Sequence, residues 1–152
     1  MKLEDAIKSN KFKDNRHKAT LNIMYSAYWL KTQISSAMKE MGLTAEQYNV
    51  MRILKGKHPE QMCVKDIGGR MIEKSSNVPR IIDRLALKKL VKRTTSKEDK
   101  RETLISLTDK GLEYLETSNK MLDETTEGII GITEQEAEQL NELLEKLRST
   151  DN

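Results

Sequence analysis

The chain has 152 residues, of which 36% are hydrophobic, 34% charged and only 4% aromatic. That length suffices for one domain with a real core, and few aromatics beside many Leu, Ile and Met favour helices over a β-sandwich. The net charge of +3 hides a segregation: residues 65–101 hold 12 Lys or Arg against 5 Asp or Glu, and residues 111–152 hold 3 against 11. A basic stretch beside an acidic tail suits a surface that meets a polyanion, with the remainder turned away from it. The single cysteine, Cys63, excludes an intramolecular disulfide framework. No apolar run nears the roughly 20 residues of a membrane span, and the first residues lack the apolar run of a signal peptide. A cytoplasmic location without membrane contact is therefore expected.

In chain order, residues 1–14 are polar and read as a short or frayed helix. From about Asn15 to Met41 the spacing predicts a long helix. Leu21, Met24, Tyr28, Ser35, Met38 and Met41 form one stripe, and Ile23, Ala27, Leu30, Ile34 and Ala37 form a second beside it. A face that wide predicts packing both within the subunit and against a partner. Gly42 stops this helix in the position glycine favours. Thr44 and Gln47 make a capping box for a helix carrying Tyr48, Met51, Ile53 and Leu54, which ends before Gly56 and Pro59.

Val64, Ile67 and Met71 mark a short helix over about 64–71. Its Gly68 and Gly69 each cost about 1 kcal/mol against alanine, and they predict close packing against another helix. A turn, Ile72-Glu73-Lys74, leads into a basic helix. Val78, Ile81, Ile82 and Leu85 share one face of it, while Arg80, Arg84, Lys88 and Lys89 carry charge around the rest. Pro79 is tolerated in a first helical turn, which supports Ser75 or Ser76 as the cap. Short helix, turn and capped helix form a helix-turn-helix. Two runs rich in β-branched residues, 90–95 and 103–107, flank a charged link and predict a β-hairpin with residues 96–102 at its tip. Thr108 caps a further helix with Leu112, Leu115, Asn119 and Leu122 as its buried stripe. A second capping box at Thr133–Glu136 opens a last helix bearing Ala137, Leu140, Leu143, Leu144 and Leu147.

A basic helix followed at once by a basic-tipped hairpin suits double-stranded DNA. The helix fits a major groove while the hairpin reaches the neighbouring minor groove. Ser75, Ser76 and Asn77 sit where free amides and the helix dipole favour phosphate. Asn77 and Arg80 are within reach of base edges, where Asn pairs with adenine and Arg with guanine. Arg84, one turn on, is expected at a backbone phosphate. Lys97, Lys100 and Arg101 occupy the hairpin tip. Elsewhere the chemistry is sparse. His17 and His58 have no ligand-spaced companions, so no metal site is expected. No paired carboxylates, nucleophile–base set or phosphate-cradling glycine loop points to an enzyme, and no cofactor is implied. Met24, Tyr28 and Met51 are candidates to line an effector cavity, since methionine suits adaptable apolar pockets. Cys63, just before the short helix, is either a thiol whose pKa a helix terminus lowers or a plain half-buried residue.

The fragments LTAEQYNVMRIL, VKDIGGRM, SSNVPRIIDRL, KKLVKR, Asp99-Lys100-Arg101 and LISLTDKG, in this order and spacing, resemble the multiple-antibiotic-resistance regulator (MarR) family over most of residues 43–111. The resemblance implies a mainly α fold with a small β-hairpin wing (α+β). A winged helix-turn-helix over 44–107 would rest on a helical dimerisation platform built from 1–43 and 108–152, all in one protomer of 152 residues. It implies a bacterial, cytoplasmic homodimer that binds a pseudo-palindromic double-stranded DNA operator, usually as a repressor. In many members a small aromatic or phenolic effector between module and platform weakens DNA affinity, and in others a cysteine is oxidised. The same resemblance sends Arg101 into the minor groove, with Asp99 helping to orient it. Three departures stand out. Lys89 replaces a frequent glycine between helix and wing, Gly68 replaces alanine, and Pro79 replaces a small hydroxyl residue. Winged helices also serve as protein-interaction adaptors. That alternative stays open, as does redox sensing through Cys63.

Overall fold

Capping residues set the helix boundaries of the computed structural model, which describes residues 1–74 and 77–149. A short helix α1 (Leu3–Ile7) precedes α2 (Asn15–Glu40), whose N-cap Asp14 accepts from the His17 N–H at 2.8 Å. Gly42 turns the chain with φ of 64°, the left-handed conformation that lacks a Cβ penalty only for glycine. Both arms of the Thr44–Gln47 capping box are made at the start of α3 (Ala45–Lys57). Then come β1 (Met62–Cys63), α4 (Val64–Arg70), α5 (Val78–Leu87), β2 (Val91–Thr95), β3 (Thr103–Leu107), α6 (Asp109–Ile129) and α7 (Glu134–Arg148). Thr108 caps α6 by accepting from the Gly111 N–H at 3.0 Å, and Thr133 with Glu136 closes the second capping box.

The strand order is β1-β3-β2, antiparallel throughout. The hairpin and its register, Val91 opposite Leu107 and Thr95 opposite Thr103, follow the expected runs. The third strand was not foreseen. Met62 and Cys63 are too few to show a period, and they become a strand only because Ile105 and Leu104 lie opposite. The basic helix also starts later than the serines suggested. Its N-cap is Asn77 and Pro79 takes the second helical position, where an amide still has no intrahelical partner. Ser75 and Ser76 lie outside the described residues.

The core sits between α3, α4, α5 and the sheet, where Val50, Leu54, Ile67, Ile82, Leu85 and Ile105 are fully buried. Met38 of α2 and Leu115 of α6 close it from the platform side. Met51, expected at an effector cavity, belongs to this core and is 0% exposed. The packing against another helix expected at Gly68 and Gly69 is met only at Gly68, which faces Val78 of α5, and there it does not require glycine. A Cβ at Gly68 would meet Val78 Cγ2 at an ordinary 3.4 Å, and one at Gly69 would meet nothing within 4 Å. The demanding glycine is Gly111, where a Cβ would lie 2.0 Å from the Leu90 carbonyl oxygen.

Candidate nucleic-acid interface

The basic helix buries Val78, Ile81, Ile82 and Leu85 and exposes Arg80, Arg84, Leu87 and Lys88. Positions 80, 84, 87 and 88 recur at helical spacing, so these four side chains share the outer face. Asn77 is exposed at the N-cap. The helix is fixed to the hairpin on its flank by the ion pair between Asp83 and Arg93 of β2.

The joint between helix and wing turns at Lys89, whose φ of 59° is left-handed. The position that the resemblance gives to glycine thus keeps a glycine-like backbone with a lysine on it. Such a conformation costs a non-glycine residue about 1–2 kcal/mol. The surrounding bonds hold it. The Lys89 carbonyl accepts from Thr108 Oγ1 at 2.7 Å, the Leu90 N–H donates to the Leu85 carbonyl at 3.0 Å, and the Thr108 N–H donates to the Leu90 carbonyl at 3.1 Å. Lys110 Nζ donates to the Lys88 carbonyl at 3.1 Å. The last carbonyls of the basic helix, those of Arg84, Leu85 and Ala86, accept from the N–H groups of Lys88, Leu90 and Lys89, while the start of α6 satisfies the carbonyls of the turn, Lys88 and Lys89.

At the hairpin tip, Lys97, Asp99, Lys100 and Arg101 are all exposed, while Ser96 is buried. Ser96 Oγ accepts from the Glu98 and Asp99 N–H groups, both at 3.2 Å, and the Ser96 N–H donates to the Glu102 carbonyl at 2.9 Å. Asp99 Oδ1 accepts from the Arg101 N–H at 2.9 Å. Asp99 thus holds the main chain at Arg101, whose side chain is exposed. The closed tip presents three cations, and its shape comes from Ser96, which the sequence offers only as part of the charged link.

The lead-in to the basic helix is also tied down. Asn49 Oδ1 of α3 accepts from the Ile72 N–H at 3.1 Å, and Lys31 of α2 pairs with Glu73 at 2.8 Å. The Glu73 carboxylate, hydrogen-bonded to Lys31, raises that ammonium's pKa above its ordinary value. Between α3 and α6, Tyr48 donates to Asn119 Oδ1 at 2.7 Å, and burial pushes its phenol pKa upward.

The other candidates do not converge. Met24 is 64% and Tyr28 70% exposed on the outer face of α2, away from the enclosed Met51, so the three share no cavity. Cys63 is half-buried in β1 opposite Leu104. Among the described residues no group of three or more His, Cys, Asp or Glu is placed to hold a metal ion, and no helix is long and apolar enough to cross a membrane.

This geometry has known counterparts. The family model of the transcriptional regulator SarA/Rot matches residues 32–117, more than half of the chain. The chain belongs to the SarA/Rot family. A Bacillus subtilis relative, the uncharacterized HTH-type transcriptional regulator YkoM, is 35% identical over 78 residues, 51% of this chain and 49% of its own. The match thus spans about half the length of that curated relative. Among solved structures, a MarR transcription factor from Planctomyces limnophilus is 29% identical with a TM-score of 0.70, over 91% of this chain and 98% of its own. The S. aureus MepR–DNA complex aligns with a TM-score of 0.74 at 24% identity, over 87% of this chain and 96% of that one. The SarA/Rot family member is thus a transcription regulator of the DNA-binding, MarR-like winged-helix type, and its family is one of regulators rather than enzymes.

Proposed function

We propose that this SarA/Rot family regulator acts in the bacterial cytoplasm as a homodimeric repressor of a pseudo-palindromic operator. In each protomer residues 44–107 form the reading module, and residues 1–43 and 108–152 the dimer platform. The observation that carries the reading is the pair of exposed basic surfaces, the outer face of α5 and the hairpin tip, joined through the turn at Lys89. Asn77 and Arg80 read bases, with Ser75 and Ser76 near a phosphate at the helix entry. Arg84 meets backbone, and Lys97, Lys100 and Arg101 follow the minor groove. A narrow minor groove concentrates negative potential, so Arg101 reads shape more than sequence.

Dimerisation is supported by apolar surface that one copy does not cover. No residue of α7 is buried, and Leu140, Leu143 and Leu147 are about half exposed or more, as are Met24 and Tyr28 of α2. Release by a small aromatic or phenolic effector belongs to the same reading, but its site is not the trio Met24, Tyr28 and Met51. The first two serve the dimer face and the third the core.

The test is selection of a duplex from random sequence by the protein itself, followed by titration across salt concentrations. Affinity should fall steeply, with about 0.9 added to the log–log slope for each phosphate neutralised. Arg101→Ala should weaken binding on many sequences alike. A flat salt response, or an unaltered shift for Arg101→Ala, refutes the assigned contacts.

A further inference from the structure

A groove of about 330 Å³ lies where the end of α2, the start of α3 and the outer face of α5 meet. Lys39, Arg84 and Lys88 line it, with Thr44, Gln47 and Leu87, and none of its lining residues is acidic. Three cations gathered without a counter-charge repel one another, so the place is suited to an anion. Lys88 is positioned by donating to the Gly42 carbonyl. Lys39 stands opposite, in the last turn of α2.

The groove opens on the face of α5 that carries Arg80. Helical rise separates Arg80 from Arg84 by about 6 Å and from Lys88 by about 12 Å. The major groove is about 12 Å wide. With Arg80 at the base edges, the Lys88 end of the helix therefore falls at the wall of the groove, where the sugar–phosphate backbone runs. We infer that this groove is a seat for a backbone phosphate of the operator, with Lys39 of α2 as a DNA contact outside the winged-helix module. This rests on the proposed reading of α5, and it deepens that reading by extending the footprint to α2 of the platform. The same chemistry would also accept the carboxylate of a small free anion, and the experiment separates the two sources.

The experiment uses the full chain and the duplex it selects. Lys39→Gln should lower the salt slope by about 0.9 for each seat, one per protomer, and reduce affinity without relaxing base preference. Lys39→Arg should restore both. Lys39 is exposed, so thermal melting of the free protein should not move. Replacing backbone phosphates one at a time by neutral methylphosphonate should reveal a position whose loss weakens the wild type several-fold but leaves Lys39→Gln unaffected. If no position shows this non-additivity, or if the slope of Lys39→Gln equals that of wild type, the seat is overturned while the reading of α5 stands. If no duplex is selected at all, both fall. Benzoate is the probe for a free anion. If it binds wild type but not Lys39→Gln while the salt slope on DNA stays unchanged, the groove is a small-anion site and the phosphate assignment is wrong.

Discussion

The winged-helix module and the C-terminal helix α7 make opposite use of their leucines. In the module, Leu54, Leu85 and Leu90 are fully enclosed and each faces residues from several elements. In α7, Leu140, Leu143 and Leu147 line one stripe and are 46%, 65% and 57% exposed. Both segments have sound local signals: α3 of the module and α7 each begin with a complete capping box. Local helix signals therefore do not report whether a helix has found its partner. The module folds around its own core, whereas the stripe on α7 stays exposed in the single chain.

Three substitutions test that contrast, from the largest effect to the smallest. Gly111→Ala strikes the point where α6 meets the module. Its methyl would collide with backbone rather than with a yielding side chain. Destabilisation of at least about 3 kcal/mol is expected, at the upper end for overpacking, and urea denaturation measures it. A variant as stable as wild type would show that the junction is loose. Leu143→Asp strikes the open stripe. It should leave the melting of the isolated protomer nearly unchanged but remove about 1.5–3 kcal/mol of apolar burial from each subunit of a dimer. Light scattering would register a fall from dimer to monomer mass, and a persistent dimer would place the interface elsewhere. Lys89→Gly relieves a left-handed residue in the joint. It should stabilise the module by about 1 kcal/mol without altering mass, and a loss of stability would mean that the lysine side chain does more than occupy the turn.

Much of this was readable from sequence because the signals are local. Asp14, Thr44, Thr108 and Thr133 cap helices through atoms three residues away, so spacing alone places those starts. Pro79 restricted the start of α5 to its first turn, but it is equally at home at the second helical position, so it did not separate Asn77 from the serines. What spacing did not supply was the identity of the neighbour. β1 exists through β3, forty residues away. The two stripes on α2 were seen, yet nothing local distinguishes Met38, which the core encloses, from Met24 and Tyr28, which it does not. Of the site, the basic positions were evident, and Arg80, Arg84, Lys97, Lys100 and Arg101 are exposed. The role of Ser96 in closing the hairpin tip, and the meeting of Lys39 with α5, depend on tertiary geometry that no period encodes.

The bonds from Thr108 and Lys110 onto the Lys89 and Lys88 carbonyls, in the turn that follows α5, have a mechanical consequence. They couple the basic helix to α6 through the turn at Lys88 and Lys89, so that a tilt of one is passed to the other. A helix of 21 residues is a lever about 31 Å long at 1.5 Å per residue. Pivoting it by about 5° at the far end displaces its near end by roughly 3 Å, close to the rise of one base pair along DNA. In a pair of such levers, a tilt too small to disturb either core would shift the two heads out of step by one rung of the duplex.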